Sequence, residues 1–158
     1  MIKFVWDTSA IINIKEPNEH GYSPGHSLWK DLADGWIKGE YRNILPTLAV
    51  FEVNATVSKL ERKNKPILRE FYLLDDNTSL YDIDKNLIQN AAEYFTLDGF
   101  SFLYGADLVF ACIAHIEDAY LVTMDGKLAF HAKKHIKVVD LNESKDTANY
   151  RELFGDQP

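Results

Sequence analysis

Short apolar runs alternate with segments of helical spacing along almost the whole of this chain, and this alternation limits the folds open to it. The apolar runs have the length and the residue types of buried strands. They lie at residues 2–6, 41–45, 79–83, 120–124 and 136–141. Strands that alternate with helices predict a parallel sheet covered on both faces. We therefore expect an α/β fold, a three-layer α/β/α sandwich around a mainly parallel central sheet.

The helices are indicated by capping residues and by the spacing of apolar positions. They are expected directly after Asp7 and at residues 27–36, 46–63, 84–95, 105–115 and 127–134, with a further short helix at 66–74. Residues 15–26 carry two prolines and two glycines and are predicted to form a loop. No repeat or linker divides the chain. Residues 1–141 are expected to form a single domain, and residues 142–158 a polar tail or a short helix.

The composition is typical of a folded protein without a membrane span. A chain of 158 residues buries roughly 70% of its unfolded surface, which suffices for a core of its own. The longest apolar run, Leu108–Ala114, is far shorter than the roughly 20 residues of a bilayer-spanning helix. Asp7 comes too early for the apolar core of a signal peptide. The single cysteine, Cys112, cannot form an internal disulfide and is expected to pack in the core of a cytoplasmic protein.

The net charge of −7 argues against a protein that binds nucleic acid non-specifically through a broad basic surface. Two segments are basic nevertheless. Residues 57–72 carry five basic and two acidic side chains, and residues 126–137 carry four lysines and no acid. Such runs of charge are often solvated faces.

Four acidic residues stand at positions where the predicted fold brings side chains together. Asp7 and Asp125 each follow a strand, Asp107 lies in the first turn of an apolar helix, and Glu52 interrupts an apolar helical run. Ligands of open α/β sheets bind outside the carboxyl ends of the strands, so we expect these acids at one edge. Four converging carboxylates repel each other unless a cation neutralises them. Oxygen ligands suit Mg²⁺, whereas the thiols and paired histidines that zinc prefers are missing.

Each of these acids also has a purely structural interpretation. Asp7 and Asp125 are suitable helix N-caps, and Asp107 suits the positive end of a helix dipole. Glu52 lies either on an exposed stripe of its helix or is held by a partner. Only the coincidence of the four at one expected edge indicates a metal site.

Four segments resemble the motifs of PIN-domain ribonucleases, in particular the VapC-type toxins of toxin–antitoxin systems. The segments are Phe4–Ile12, Leu45–Val53, Gly105–Ala114 and Leu121–Leu128, in the family's order and at similar separations. Each motif is loose by itself, but the ordered set is more specific. The resemblance extends over the chain to about Leu141 and implies a PIN-like nuclease domain at residues 1–141.

The resemblance implies a metal-dependent endoribonuclease with Mg²⁺ or Mn²⁺ as its cofactor. Carried over motif by motif, the catalytic and metal-binding acids are Asp7, Glu52, Asp107 and Asp125, and the hydroxyl residues that order the site are Thr8, Ser9 and Thr123. Gly126 stands where some relatives have a further polar or acidic side chain, so a fifth acid is not implied. An RNA substrate, a small antitoxin partner and a homodimer are implied as well.

Our hypothesis is hydrolysis of an RNA phosphodiester bond by a water that one or two cations at the four acids activate. Lysines and arginines follow two of these acids along the chain. They are Lys59, Arg62 and Lys63 after Glu52, and Lys127, Lys133 and Lys134 after Asp125. Both groups are predicted to flank the acids and to bind backbone phosphates.

Two other functions match parts of the pattern. The first is a catalytically silent scaffold of the same fold that binds RNA or protein, although the presence of all four acids argues against it. The second is a metal-binding signalling module of the receiver type. That module needs an acid next to Asp7 and a phosphoacceptor at a middle strand, but no acid precedes Asp7 and Glu52 lies on a predicted helix.

Other residues with metal-binding or stacking chemistry have simpler explanations. His131 and His135 are four apart on a predicted helix, but no third ligand accompanies them, so they are expected to line a helix end. Trp6, Trp29 and Trp36 are expected to make core or dimer contacts rather than to stack on bases.

Overall fold

The computed structural model describes residues 1–14, 19, 21–37, 39–61 and 76–142. Within them, five strands form one sheet in which all neighbouring strands are parallel. The strands are β1 (Ile2–Trp6), β2 (Tyr41–Pro46), β3 (Thr78–Tyr81), β4 (Tyr120–Thr123) and β5 (Val138–Asp140). Their order is β3-β2-β1-β4-β5, so β1 is central and the direction of winding reverses between β1 and β4.

Six helices accompany these strands in the described residues. They are α1 (Thr8–Ile12), α2 (Pro24–Ala33), α3 (Thr47–Glu61), α4 (Lys85–Ala91), α5 (Gly105–Ile116) and α6 (Gly126–Ala132), with 3₁₀ turns at Ala92–Tyr94 and Phe100–Phe102. Helices cover both faces of the sheet, which leaves Phe4, Val5 and Trp6 of β1 without exposed surface. The three-layer α/β/α sandwich with a parallel sheet is therefore confirmed.

The strand predictions are confirmed to within two residues, but several helix bounds differ. Helix α2 begins at Pro24, inside the segment expected to be a loop, because Ser23 caps it and the fixed φ of proline suits the first helical turn. Residues 84–95 form α4 only as far as Ala91 and then tighten into a 3₁₀ turn. Helix α6 ends at Ala132, two residues before the expected end. The helix expected at 66–74 and the tail from 143 lie outside the described residues.

The core is built on β1 and its two neighbouring strands. The indole N–H of Trp6 donates to Oδ1 of Asn43 on β2 at 2.9 Å, which satisfies two polar groups inside the sheet. Cys112 on α5 is buried, as expected, and burial raises the pKa of its thiol to about 11.

No helix in the described part of the chain is long and apolar enough to cross a membrane.

A glycine allows the segment before α5 to pack closely against α6. Gly99 has a φ of +87°, and a Cβ at this position would lie 2.2 Å from the carbonyl oxygen of His131. Only glycine combines this backbone conformation with so close an approach. The 3₁₀ turn Phe100–Phe102 is thereby held against the C-terminal half of α6.

We expect Gly99→Ala to destabilise the protein more than Gly35→Ala does. Both glycines have a positive φ, which costs about 1–2 kcal/mol for alanine, but a Cβ at Gly35 meets no atom within 4 Å. Because only Gly99→Ala adds a backbone clash, it should lower the free energy of unfolding by at least about 1 kcal/mol more. Urea denaturation of the two variants measures the difference, and equal losses would contradict the close packing at Gly99.

Candidate metal centre

Four different elements bring the four predicted acids to the carboxyl edge of the sheet. Asp7 directly follows β1, and Asp125 lies two residues after β4, the parallel neighbour of β1. Glu52 is in the second turn of α3, which continues directly from β2, and Asp107 is in the first turn of α5. This edge includes the reversal of winding between β1 and β4, where ligands of such sheets collect.

Asp7 is buried and accepts hydrogen bonds on both of its carboxylate oxygens. Its side chain is 3% exposed. Oδ1 accepts from the backbone N–H of Ala10 at 2.7 Å, which makes Asp7 the N-cap of α1. Oδ1 also accepts from the hydroxyl of Ser9 at 2.7 Å, and Oδ2 accepts from the hydroxyl of Thr123 at 2.5 Å. The structural interpretation of Asp7 as a cap therefore holds, and the cap lies inside the acidic cluster.

The hydroxyls of Ser9 and Thr123 connect Asp7 to the chain that follows β4. Ser9 Oγ accepts from the backbone N–H of Met124 at 2.9 Å, and Thr123 Oγ1 accepts from that of Asp125 at 2.8 Å. Each hydroxyl donates its one proton to Asp7 and accepts from a backbone amide, so its hydrogen-bonding capacity is used in a consistent way. The position of Asp125 is thus fixed by the same groups that surround Asp7.

Thr8, the third predicted hydroxyl residue, connects α1 to α3. Its hydroxyl donates to Oε2 of Glu52, whose side chain is half-buried. Of the two structural alternatives for Glu52, a partner and an exposed stripe, the structure shows the partner.

The carboxyl of Asp107 lies near other negative charges and accepts no hydrogen bond from the described residues. Burial raises the pKa of its half-buried carboxyl, and the charges of Asp125 and Glu52 raise it further, whereas Lys127 acts in the opposite direction. Asp125 itself caps α6, since its Oδ1 accepts from the amides of Lys127 at 2.8 Å and Leu128 at 3.0 Å. The acids are therefore close enough to perturb one another electrostatically.

The donor set and its electrostatics fit a divalent cation. Burial raises the pKa of Asp7 to about 6, and the charge of Asp107 contributes to the same shift. A cation at this edge would reverse both effects, because it stabilises the ionised form of each carboxyl. Among the described residues, however, no three acidic, histidine or cysteine side chains are gathered closely enough to hold one ion.

The predicted phosphate-binding residues lie at different distances from the acids. Lys127 is exposed in the first turn of α6, where its charge reaches Asp107. Lys59 is exposed on α3, seven residues after Glu52 and therefore roughly 10 Å further along the same helix. Arg62 and Lys63 lie outside the described residues.

Aromatic side chains near the acids were missed by the sequence analysis. Trp6 is buried, as expected, and packs edge-on against Trp29 with ring centroids 5.1 Å apart. Exposed rings adjoin α5 and α6 instead, at Phe102, Tyr104 and Phe130. The sequence feature that could have indicated these exposed rings is Phe130, an apolar residue between lysines on the predicted helix 127–134.

The two histidines of that helix do not form a metal-binding pair. His135 lies beyond the end of α6, and its ring contacts Phe100 at a centroid distance of 5.8 Å. His131 stacks on Phe102 instead, at 5.1 Å. The simpler explanation of these residues as the lining of a helix end agrees with this arrangement.

Three solved structures share this fold at low sequence identity. A chain in the crystal structure of VapBC2 from Rickettsia felis, bound to a DNA fragment from its promoter, matches with a TM-score of 0.59 and 18% identity over 88% of this chain and 98% of that chain. A chain of VapBC-1 from nontypeable Haemophilus influenzae matches with a TM-score of 0.59 and 16% identity over 89% of this chain and 99% of that chain. A chain of FitAcB from Neisseria gonorrhoeae matches with a TM-score of 0.57 and 17% identity over 87% of this chain and 97% of that chain.

No protein-family model and no curated protein matches the sequence. At identities below 20%, the three structures show the fold of the chain and not its activity. That fold is the PIN-like α/β sandwich that the four sequence motifs indicated.

The buried carboxyl of Asp7 predicts a pH dependence of stability in metal-free buffer. Its pKa of about 6 lies above the usual 3.8, so between these pH values the folded state retains a proton that the unfolded state has released. The stabilisation from this group is complete below about pH 4 and is lost as the pH rises through about 6. The corresponding change in the free energy of unfolding is about 3 kcal/mol.

Asp7→Asn tests this prediction because asparagine stays neutral at every pH. Between pH 4 and pH 7 in EDTA, the stability of the variant should rise relative to wild type by about 2.4 kcal/mol, most of the full change, since only wild type then buries a charge. Urea denaturation at several pH values gives the comparison. Parallel pH profiles of the two proteins would show that the pKa of Asp7 is not raised.

Proposed function

We propose that the protein is a Mg²⁺- or Mn²⁺-dependent endoribonuclease. The observation that carries this proposal is the convergence of Asp7, Glu52, Asp107 and Asp125 at one edge of a PIN-like sheet, where the pKa values of Asp7 and Asp107 are raised. Carboxylates held near one another without a compensating cation are costly for folding and are expected at functional sites.

The four acids are proposed to hold the cation, directly or through waters. A bound Mg²⁺ or Mn²⁺ would supply a Lewis acid that activates water and offsets the charge of the phosphate. Asp107 and Asp125 have carboxylate oxygens that accept no hydrogen bond from the described residues and are therefore suited to bind it. Asp7 is oriented by its contacts with Ser9, Ala10 and Thr123.

The chain contributes positioning and charge to the proposed reaction. Ser9 and Thr123 fix the orientation of Asp7, and Thr8 fixes Glu52, so two acids and three hydroxyls are held in one arrangement. Lys127 is exposed and its charge lowers the pKa of Asp107, which supports a proposed role in binding a phosphate of the RNA backbone. Lys59, Arg62 and Lys63 are proposed to extend this contact along α3.

The biological role that we propose is that of the toxin in a toxin–antitoxin pair. Support comes from the sequence motifs and from the likeness of fold to chains of the VapBC and FitAcB structures. A small antitoxin, a homodimeric assembly and a cytoplasmic location belong to this proposal.

One observation favours the alternative of a catalytically silent scaffold that binds RNA or protein. Asp7 and Asp125 both act as helix caps, and the described acids include no preformed three-ligand set. In that case the acids would serve the fold alone, and neither cleavage nor binding of a cation would depend on them.

Asp7→Asn and Asp107→Asn should each reduce metal-dependent RNA cleavage by at least about 100-fold, because each removes a carboxylate at the proposed cation. The assay is cleavage of a mixed RNA pool by purified protein with Mg²⁺, with Mn²⁺ and with EDTA. Asp34→Asn is the matched control, since Asp34 is an exposed acid that pairs with Lys30 at the end of α2.

Full activity of both acid variants, or equal activity in EDTA, would refute the proposed site. Absence of cleavage by the folded wild-type protein on any RNA supplied would favour the scaffold. Loss of activity in Asp34→Asn as well would indicate a general effect of lost charge rather than a role of the cluster.

Binding of Mg²⁺ should stabilise the wild-type protein against heat. At a free concentration of about 100 times the dissociation constant, one ion adds about 2.7 kcal/mol to the free energy of unfolding. We expect a rise in Tm on titration with Mg²⁺ that Asp107→Asn greatly weakens and that Asp34→Asn retains. Equal rises in all three proteins would mean that the ion binds elsewhere.

A further inference from the structure

An exposed surface of aromatic and basic side chains lies beside the acidic cluster. We call it the α6 surface, and it consists of Phe102, Tyr104, Lys127, Phe130, His131 and Lys134. The three aromatic rings are 53%, 77% and 66% exposed in the order Phe102, Tyr104, Phe130. Single exposed rings are common on protein surfaces, but a contiguous group of them marks a binding site.

Four members of the α6 surface, Phe102, Phe130, His131 and Lys134, are packed into one array. His131 stacks on Phe102 with an interplanar angle of 19° and meets Phe130 edge-on, with both centroid distances at 5.1 Å. Nζ of Lys134 lies 5.8 Å from the ring centroid of Phe102 and 6.0 Å from that of Phe130.

The α6 surface continues directly into the proposed catalytic site. Lys127 is two residues after Asp125, and Phe130 follows Lys127 by three residues, which places both on one face of α6. Tyr104 immediately precedes α5, three residues before Asp107. A strand of substrate that leaves the acids along α6 would therefore meet these rings and lysines in succession.

The charge of this region is opposite to that of the chain as a whole. Residues 126–137 carry four lysines and no acid in a protein of net charge −7. One acid faces Lys134 from the preceding segment, Asp98, at 3.3 Å, and that pair is exposed. Exposed pairs contribute little, so Lys134 is able to exchange Asp98 for a phosphate. The complementary ligand is a polyanion that also presents flat aromatic groups.

The α6 surface is held in place by the backbone. Gly99 approaches the carbonyl oxygen of His131 so closely that the turn carrying Phe102 is fixed against α6. Its rings are thus presented by a rigid support, which lowers the entropy lost when a ligand orders them.

We propose that the α6 surface binds single-stranded RNA next to the bond that is cleaved. Bases stack on Phe102, Phe130 and Tyr104, and Lys127 and Lys134 hold the adjoining phosphates. Single strands are favoured because only unpaired bases offer their faces for stacking on exposed rings. The proposal rests on the proposed ribonuclease function and deepens it by assigning the surface of this chain that holds the unpaired strand beside the acids.

The test uses a pair of substitutions that separates stacking from simple apolar contact. Phe130→Leu keeps an apolar side chain but loses the aromatic face, whereas Phe130→Trp keeps the face. Binding is measured by fluorescence anisotropy with a labelled twelve-nucleotide oligouridine in EDTA, so that no cleavage takes place. A labelled RNA duplex of twelve base pairs serves as the second probe.

We expect wild type to bind the oligouridine more tightly than the duplex. Phe130→Leu and Phe102→Ala should each weaken this binding about tenfold, the effect of one lost base–ring stack, whereas Phe130→Trp should retain it. Phe95→Ala is the matched control, because Phe95 is an exposed phenylalanine that belongs neither to the α6 surface nor to α3, and the affinity of this variant should be that of wild type.

Wild-type affinity in Phe130→Leu and Phe102→Ala, or equal binding of duplex and single strand, would overturn the proposal. So would a change of sedimentation from dimer to monomer in Phe130→Leu with RNA affinity intact, which would assign the surface to a contact between copies of the chain. The predicted binding pattern without any cleavage in Mg²⁺ would uphold the α6 surface and refute the nuclease. Metal-dependent cleavage with unchanged binding in the variants would do the reverse.

Discussion

The burial of one carboxylate organises the carboxyl edge of this sheet. Asp7 ends the central strand, caps α1 and accepts the hydroxyl protons of Ser9 and Thr123. These contacts replace the water that Asp7 loses, but they do not neutralise its charge, and its pKa stays raised. The position of Asp125 depends on the same hydroxyls, so the fold and the candidate site share this one group.

This sharing explains why the structural and functional interpretations of the acids do not exclude each other. Oδ1 of Asp125 caps α6 while its other oxygen accepts no hydrogen bond from the described residues. A cap needs only one of the two oxygens of a carboxylate, and the other remains for a ligand. An aspartate at the end of a strand thus caps the next helix and also supplies a carboxylate oxygen at the edge where ligands collect.

The sequence predicted most of the fold because buried parallel strands are continuous apolar runs, as in residues 2–6 and 120–124, and the ends of such runs place Asp7 and Asp125 at one edge. The start of α2 was wrong because Pro24 was taken as a loop residue, although proline also suits a first helical turn. The family resemblance implied Thr8, Ser9 and Thr123 as ordering hydroxyls, and the structure shows them bonded to Glu52 and Asp7. Which acid each hydroxyl contacts was not predictable, since it depends on side-chain conformations of segments far apart in sequence. The exposure of Phe130 depends likewise on how α6 packs.

The pairing of β1 with both β2 and β4 has a consequence for the synthesis of the protein. Asp7 and Thr123 are 116 residues apart, and at usual rates of elongation the ribosome needs roughly 6–20 s to add the residues between them. Until then, β1 lacks β4, one of its two neighbouring strands. The nascent chain also lacks Thr123, whose hydroxyl orients Asp7, and the acid Asp125. The edge that carries the four acids is therefore complete only after β4 and the residues that follow it have been synthesised.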